Sequence, residues 1–84
     1  MPRKIVIWSP NAQAQVAAID RETALGILQA IDDYLTTGVG DVKKLRPPRR
    51  DLRLRIGDYR VFFLTQGPRS IEILSVKHRK DAYR

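Results

Sequence analysis

The spacing of apolar residues changes along the chain, and the first segments predict a strand followed by a short helix. Lys4–Trp8 is β-branched and almost continuously apolar, which predicts a strand covered on both faces. Ser9 and Pro10 follow as an N-cap and a first helical residue. Apolar residues then recur at spacings of four and three, as expected for one helix face: Ala12, Val16 and Ile19.

A second helix is predicted from Asp20, a suitable N-cap, to Gly38 and Gly40, which end it. Its apolar stripe consists of Ala24, Leu28, Ile31 and Leu35, with Ile27 and Tyr34 beside them. Two consecutive amphipathic helices predict a helical hairpin whose apolar face covers a sheet.

The second half of the chain predicts strands. Lys43–Arg50 is a connector, because the paired prolines at 47 and 48 exclude a helix or a central strand. From residue 51 the period is two, with Leu52, Leu54 and Ile56 alternating with Arg53 and Arg55. Gly57-Asp58 predicts a two-residue turn, Tyr59–Thr65 the returning strand and Ser70–Val76 the last strand, before a basic tail.

This order predicts an α+β fold, β-α-α-β-β-β, in one domain over residues 1–84. The two-helix hairpin packs on one face of a largely antiparallel four-stranded sheet, and the other face is open to water.

The two-residue turn predicts the register of the hairpin, with Arg55 opposite Arg60 and Arg53 opposite Phe62. Alternation then places Leu52, Leu54, Ile56, Tyr59, Val61 and Phe63 on the helix side, and Arg53, Arg55, Arg60 and Phe62 on the open side. Like charges opposite each other are unfavourable by up to about 1 kcal/mol. A bound phosphate would reverse that cost, and Phe62 offers a face to a base.

The last strand brings the tail back to the same end of the sheet, with Lys77, His78, Arg79, Lys80 and Tyr83. A three-residue loop before it places Ile71 and Ile73 in the core, whereas a four-residue loop places Glu72 there. The former is preferred, and Glu72 then joins the cationic face as an ion-pair partner of the arginines or as an acid or base.

Charge is concentrated in the second half of the chain. Residues 1–42 hold three basic and five acidic side chains, and residues 43–84 hold thirteen basic and four acidic ones, giving net charges of −2 and +9. Such clustering indicates a polyanion or an acidic protein as partner. The absence of cysteine and the single histidine disfavour disulfides and a transition-metal site, so neither a metal nor a cofactor is expected. No membrane span or signal peptide is recognised, so the cytoplasm is the expected location.

The segment Asp51–Phe63, with its Gly-Asp-Tyr-Arg-Val element, and the segment Ile71–Tyr83 resemble the C-terminal half of RelE-type toxins from type II toxin–antitoxin pairs. The element order extends the resemblance to the RelE/ParE superfamily over nearly the whole chain. The tail His-Arg-Lys-Asp-x-Tyr is more similar to the ribonuclease branch than to the gyrase-poisoning ParE branch. The fold implied is RelE-like, of the microbial ribonuclease type.

The resemblance implies an mRNA interferase that cleaves mRNA in the ribosomal A site, the ribose 2′-hydroxyl attacking the neighbouring phosphate without a metal. Matching the motif by residue assigns the site to Arg53, Arg55, Arg60, Arg79 and the stacking Tyr83. Arg53 and Arg55 stand where the best-known members have lysines, and arginine is a poor general base. Histidine changes charge near neutral pH, so His78 is proposed as the acid or base.

Cations around the site are expected to steer RNA or the ribosome: Lys43, Lys44, Arg46, Arg49 and Arg50 in the connector, with Lys77 and Lys80 in the tail. An acidic antitoxin is the other expected partner. Two alternatives stay open. One is a ParE-like inhibitor of DNA gyrase without catalysis, and the other a non-toxic relative that only binds nucleic acid or a protein.

Overall fold

The computed structural model describes residues 5–68 and 70–82 and has two helices on one face of a five-stranded sheet. The elements are β1 Ile5–Trp8, α1 Pro10–Ala17, α2 Arg21–Thr37, β2 Asp41–Lys44, β3 Leu52–Ile56, β4 Tyr59–Thr65 and β5 Ser70–His78. The predicted α+β class, helical hairpin and largely antiparallel sheet are confirmed. The predicted strand count was one too few.

Both helices begin at the predicted caps. The Ser9 hydroxyl accepts the N–H of Ala12 at 3.0 Å and donates to the carbonyl of Leu74 at 2.8 Å, which joins α1 to β5. The Asp20 carboxylate accepts the backbone N–H of Thr23, and this hydrogen bond lowers the pKa of Asp20 from its ordinary value of 3.8. Gly38 ends α2 at φ 77°, a conformation that favours glycine.

The sheet order is β1-β5-β4-β3-β2, with β1 parallel to β5 and the other pairs antiparallel. β1 is therefore an edge strand, and Ile5 and Ile7 are 60% and 44% exposed. The expectation that this strand is covered on both faces was wrong. Val6 and Trp8 pack against the core, while the alternate residues lie on the face that the helices leave open.

β2 lies at the other edge and was not predicted. Lys43 and Lys44, expected in a connector, belong to this strand, and the connector is correspondingly shorter. Val42 is its single core-facing apolar residue, so no alternation was available to reveal it. The prolines do follow the strand, as their missing N–H groups require.

The predicted hairpin register is confirmed. Arg55 is opposite Arg60 and Arg53 is opposite Phe62. Gly57 has φ 55° at the first central position of the turn, where a positive φ is needed and glycine adopts it without strain.

A β-bulge interrupts the pairing of β4 with β5. Phe63 pairs with Ile73 but Phe62 pairs with Ser75, so Leu74 is an extra residue in β5. Beyond the bulge the alternation is shifted by one: Val76 faces the core and Ser75 faces the open side. The bulge lies where α1 begins, since the carbonyl of Leu74 accepts the hydroxyl of Ser9.

The core lies between the helices and the sheet. Its buried members are Ala12, Ile27, Ile31, Leu54, Val61, Phe63, Ile71, Ile73 and Val76. The preferred placement of Ile71 and Ile73 is confirmed. Leu28, expected in the apolar stripe of α2, is 41% exposed, and Ile27 is buried in its place. Within the described residues, neither helix combines the length and apolar character that crossing a bilayer requires.

Candidate anion-binding face

The face of the sheet opposite the helices carries three cations side by side on three neighbouring strands. Lys77 of β5 is directly opposite Arg60 of β4, which is directly opposite Arg55 of β3. Residues opposite each other in an antiparallel pair point to the same face, with Cβ atoms about 5 Å apart. We call Lys77, Arg60 and Arg55 the cation row. Asp41 of β2 is opposite Arg55 and ends the row.

Arg60 is the most enclosed member of the row. It is only 9% exposed, and its Nη1 donates to the carbonyls of Gly57 and Tyr59, both at 2.9 Å. The side chain thus turns back over the hairpin loop and is held there. Its Nε is buried without a hydrogen-bond partner. The hairpin backbone therefore fixes the guanidinium without neutralising its charge.

A second row of directly opposed residues lies on the same face, two residues along each strand from the cation row: Ser75, Phe62, Arg53 and Lys43. Arg53 is paired with Asp41, whose Oδ1 lies 3.2 Å from Nη2. The Asp41 side chain is half exposed, so this ion pair is accessible to water and weak. Arg53 Nε is buried without a partner, as Arg60 Nε is.

Phe62 was expected to present its ring to solvent, but it is 1% exposed. Arg49 of the connector lies over the ring, with Cζ 5.2 Å from the ring centroid. Asp51, itself buried, accepts from both Nε and Nη2 of Arg49. The expectation of a face fully open to water was therefore wrong, because the connector covers part of it.

His78 does not join the cation row. It is opposite Tyr59, and the two rings meet edge to face with centroids 5.4 Å apart. Because Tyr59 packs against the core, His78 lies on the helix side, where the two residues line a shallow depression with Gln15 and Ile19. The predicted end of the sheet is therefore correct for His78, but its side chain lies on the opposite face from the arginines. The β-bulge at Leu74 is the reason, since it moves every later residue of β5 to the other face.

The tail returns to the hairpin turn, as predicted. The N–H of Arg79 donates to the carbonyl of Asp58 at 2.7 Å, and Arg79 Nε lies 3.6 Å from Asp58 Oδ1. The N–H of Lys80 donates to Nδ1 of His78 at 3.2 Å. Arg79 is therefore next to the loop that holds Arg60. Tyr83 lies outside the described residues.

Other predicted residues are placed away from the cation row. Lys44 is opposite Leu52 and points to the helix side of β2. Arg46 and Arg50 are exposed in the connector. Glu72, considered a partner of the arginines, is opposite Leu64 and accepts from Gln66 Nε2 at 2.7 Å. The structure thus brings together Arg53, Arg55, Arg60, Phe62, Lys43 and Lys77 on one face.

Sequence reasoning missed two acidic residues of this face, Asp41 and Asp51. Asp41 lies in the unpredicted strand, so its pairing with Arg53 had no visible signal. The Arg49-x-Asp51 spacing was readable, since an arginine and an aspartate two residues apart at a strand entrance are within reach of each other. The connector cations are expected to steer RNA, whereas the structure pairs one of them, Arg49, with Asp51.

The fold is shared with several solved toxin structures. The toxin–antitoxin complex RelBE2 from Mycobacterium tuberculosis matches with TM-score 0.79 at 20% identity, covering 96% of this chain and 97% of the other. The archaeal RelE–RelB complex from Pyrococcus horikoshii OT3 matches with TM-score 0.73 at 25% identity, covering 98% and 100%. The YoeB dimer from Staphylococcus aureus matches with TM-score 0.73 at 19% identity, covering 90% and 97%.

The chain therefore has the fold of small RelE-like toxins, with a cationic face on its sheet. The family model described as ParE toxin of type II toxin-antitoxin system, parDE, matches residues 6–83. The chain therefore belongs to the RelE/ParE toxin superfamily of type II toxin–antitoxin systems. No curated protein matches its sequence.

Proposed function

We propose that this toxin is a metal-independent endoribonuclease that cleaves mRNA in the ribosomal A site. The observation that carries the proposal is the cation row, in which Lys77, Arg60 and Arg55 occupy directly opposed positions on one sheet face. Three adjacent like charges are unfavourable in an isolated protein. They become favourable when a phosphodiester lies across them, because its oxygens accept from several donors at once.

In the proposed reaction a ribose 2′-hydroxyl loses its proton to water and attacks the adjacent phosphorus. The bond from phosphorus to the 5′-oxygen breaks, which leaves a 2′,3′-cyclic phosphate and a 5′-oxygen that takes up a proton. Negative charge grows on the phosphoryl oxygens in the transition state, and fixed donors stabilise it. Arg60 suits this task because two backbone carbonyls hold its guanidinium in place. The unpartnered Nε groups of Arg53 and Arg60 add donor capacity that an entering anion could satisfy after a side-chain rotation.

Lys77 is the candidate for proton transfer within the row. Arginine keeps its proton throughout, whereas a lysine ammonium can give one up. Lys77 is directly opposite Arg60, so a phosphate held by Arg60 lies within reach of its ammonium. We assign it donation to the leaving 5′-oxygen. Arg79, beside the hairpin turn, and Tyr83 complete the proposed site.

An acidic antitoxin, mRNA and the ribosome are the proposed partners, and the cytoplasm is the proposed location. The solved neighbours include toxin–antitoxin complexes, which supports an antitoxin for this chain. Residues 43–84 carry thirteen basic side chains against four acidic ones, and an acidic segment would offset that field. Exposed cations such as Lys43 and Arg50 would guide RNA or the ribosome toward the site.

The deciding experiment incubates the purified protein with translating ribosomes and a defined message, and maps the new 5′ ends by primer extension. We expect cleavage within the codon in the A site, and none with Arg60→Ala. A message that stays intact with wild-type protein would refute the nuclease proposal.

Inhibition of DNA gyrase is the second candidate function, and one finding favours it. The matching family model is that of ParE toxins, whereas the histidine expected to serve the nuclease lies on the other face of the sheet. A supercoiling assay with purified gyrase tests it in parallel. Inhibition of supercoiling without mRNA cleavage would replace the first proposal with the second.

A further inference from the structure

The connector between β2 and β3 is a closed loop rather than a loose segment. The N–H of Leu45 donates to the carbonyl of Asp51 at 3.2 Å across the base of the loop. The N–H of Arg49 donates to the carbonyl of Arg46 at 3.1 Å within it. These bonds fix where Arg49 leaves the backbone, at the border of the cationic face.

The side chain of Arg49 is fixed as well. Its Nε donates to Oδ1 of Asp51 at 3.0 Å and its Nη2 donates to Oδ2, so both ends of the guanidinium fork are engaged. The Phe62 ring lies beneath, 5.2 Å from Cζ. The Asp51 side chain is 7% exposed, whereas that of Arg49 is 51% exposed. A guanidinium supported from below and clamped at one edge is thus presented to solvent.

We propose that Arg49 is a stacking platform for a nucleobase of single-stranded RNA. RNA bases stack on arginine guanidinium planes as they do on aromatic rings. The buried Asp51 carboxylate offsets the charge of Arg49, which weakens its attraction for phosphate and leaves the planar surface as what it offers. Phe62, buried under Arg49, supports the platform instead of forming it.

The position of the platform fits RNA lying on the cation row, so this inference rests on the proposed nuclease function. Phe62 is two residues from Arg60 on the same strand and face, a separation of about 6.6 Å. A phosphate at Arg60 would therefore place a neighbouring base within reach of Arg49. The platform would thus determine the position and orientation of the message next to the scissile bond.

The test measures binding of a fluorescent, uncleavable 2′-O-methyl RNA oligonucleotide at several salt concentrations, with an abasic nucleotide placed at each position in turn. We expect one abasic position to weaken binding by wild-type protein about tenfold. Arg49→Ala should weaken binding of the intact oligonucleotide to a similar extent and make it insensitive to that abasic position. Arg49→Lys keeps the charge but loses the plane, and should behave like Arg49→Ala.

Salt dependence separates stacking from phosphate contact. Arg49→Ala should leave the slope of log affinity against log salt unchanged, whereas a lost phosphate contact lowers the slope by about 1. Arg21→Ala, which removes an exposed cation on α2, is the control and should keep the full abasic penalty. Asp51→Asn removes the offsetting charge and should raise the slope by about 1, which tests the clamp should the Arg49 variants prove unstable.

The inference is overturned if the abasic penalty is the same in wild type and Arg49→Ala, if Arg49→Ala lowers the salt slope like a phosphate contact, or if wild-type protein does not bind the oligonucleotide. The nuclease proposal fails by a different result, an intact message on translating ribosomes. An abasic penalty that is the same in wild type and Arg49→Ala, together with continued mRNA cleavage, would therefore refute the platform alone.

Discussion

The side chains on the two faces of the sheet are held in place by different interactions. The helix-covered face is apolar and continuous, and its central residues Leu54, Val61, Phe63 and Ile73 are at most 3% exposed. The other face is cationic, yet Arg60 and Phe62 on it are also buried, at 9% and 1%. Burial on the first face is accomplished by apolar packing. On the second it depends on a hairpin turn, an ion pair and a connector that hold charged side chains in place.

The difference teaches that a charged face can be as well fixed as a core. Arg60 is held by two carbonyls and Arg49 by Asp51, so ordering these side chains is part of folding. A ligand then meets donors whose conformational entropy is already lost, which favours binding. This division of the sheet can be tested by mutation, and the largest effect is expected where the alternation of β5 itself is changed.

Inserting one alanine between Ser75 and Val76 should abolish the division. With one more residue in β5, Lys77 would point to the helices and Val76 to the cationic face. Burial of an unpaired ammonium should lower the free energy of unfolding by about 3 kcal/mol or more, measured by urea denaturation. Deleting Leu74 removes the extra residue of the bulge but keeps Ser75, Val76 and Lys77 on their present faces, so it should cost less, about 1 kcal/mol. Equal stability of the insertion variant would contradict the division of the sheet.

Arg60→Ala should lower the rate of mRNA cleavage about 100- to 1,000-fold, as loss of a fixed donor to a developing anion does elsewhere. The measurement is single-turnover cleavage on ribosomes, with urea denaturation to show that the variant is folded. Arg21→Ala, which removes an exposed cation on α2, is the control. A fall of less than threefold would remove Arg60 from the proposed mechanism.

Asp41→Asn should strengthen RNA binding about two- to fivefold. The substitution releases Arg53 from its exposed ion pair and raises the net charge of the cationic face. Affinity for a 2′-O-methyl oligonucleotide at low salt measures this. Asp32→Asn changes the net charge equally but lies on α2, and should have a smaller effect. Equal gains from both would mean that total charge matters and position does not.

His78→Gln should change cleavage by less than about threefold and leave the pH dependence of the rate unaltered. The reason is its place on the helix side against Tyr59, away from the cation row. Rates over a pH series with ribosome-bound message test this. A drop beyond tenfold, with loss of an inflection in the profile, would restore His78 as acid or base.

The smallest effect is expected at the start of α2. The hydrogen bond from Thr23 lowers the pKa of Asp20, so the ionised cap stabilises the fold above pH 3.8. That contribution is lost as the pH falls through the lowered pKa. Asp20→Asn should show less loss of thermal stability over this acidic range. Parallel curves for the two proteins would show that the cap is not linked to proton binding.

Much of the fold could be predicted from the sequence because local rules decide it. The caps Ser9 and Asp20 and the turn at Gly57 carry specific conformational requirements, and the hairpin register followed from the turn length. That register in turn predicts that Arg53, Arg55 and Arg60 lie on one face, as they do.

What could not be predicted depends on long-range pairing. β2 is recognisable only by its partner β3, and the connection of Asp41 to Arg53 follows from it. The bulge at Leu74 was hinted at by Ile71, Ile73 and Val76, whose spacings of two and then three require one extra residue if all are buried. A strictly alternating pattern has no place for the extra residue, so it does not predict the faces on which Lys77 and His78 lie.

The turn at Gly57-Asp58 has a consequence for how this protein can vary. The guanidinium of Arg60 donates a hydrogen bond to the carbonyl of Gly57, and the backbone N–H of Arg79 in the tail donates one to the carbonyl of Asp58. Surface hairpins usually tolerate extra residues. Here an insertion would move two separate cations at once, so the length of this bend should be inherited as strictly as the side chains it carries.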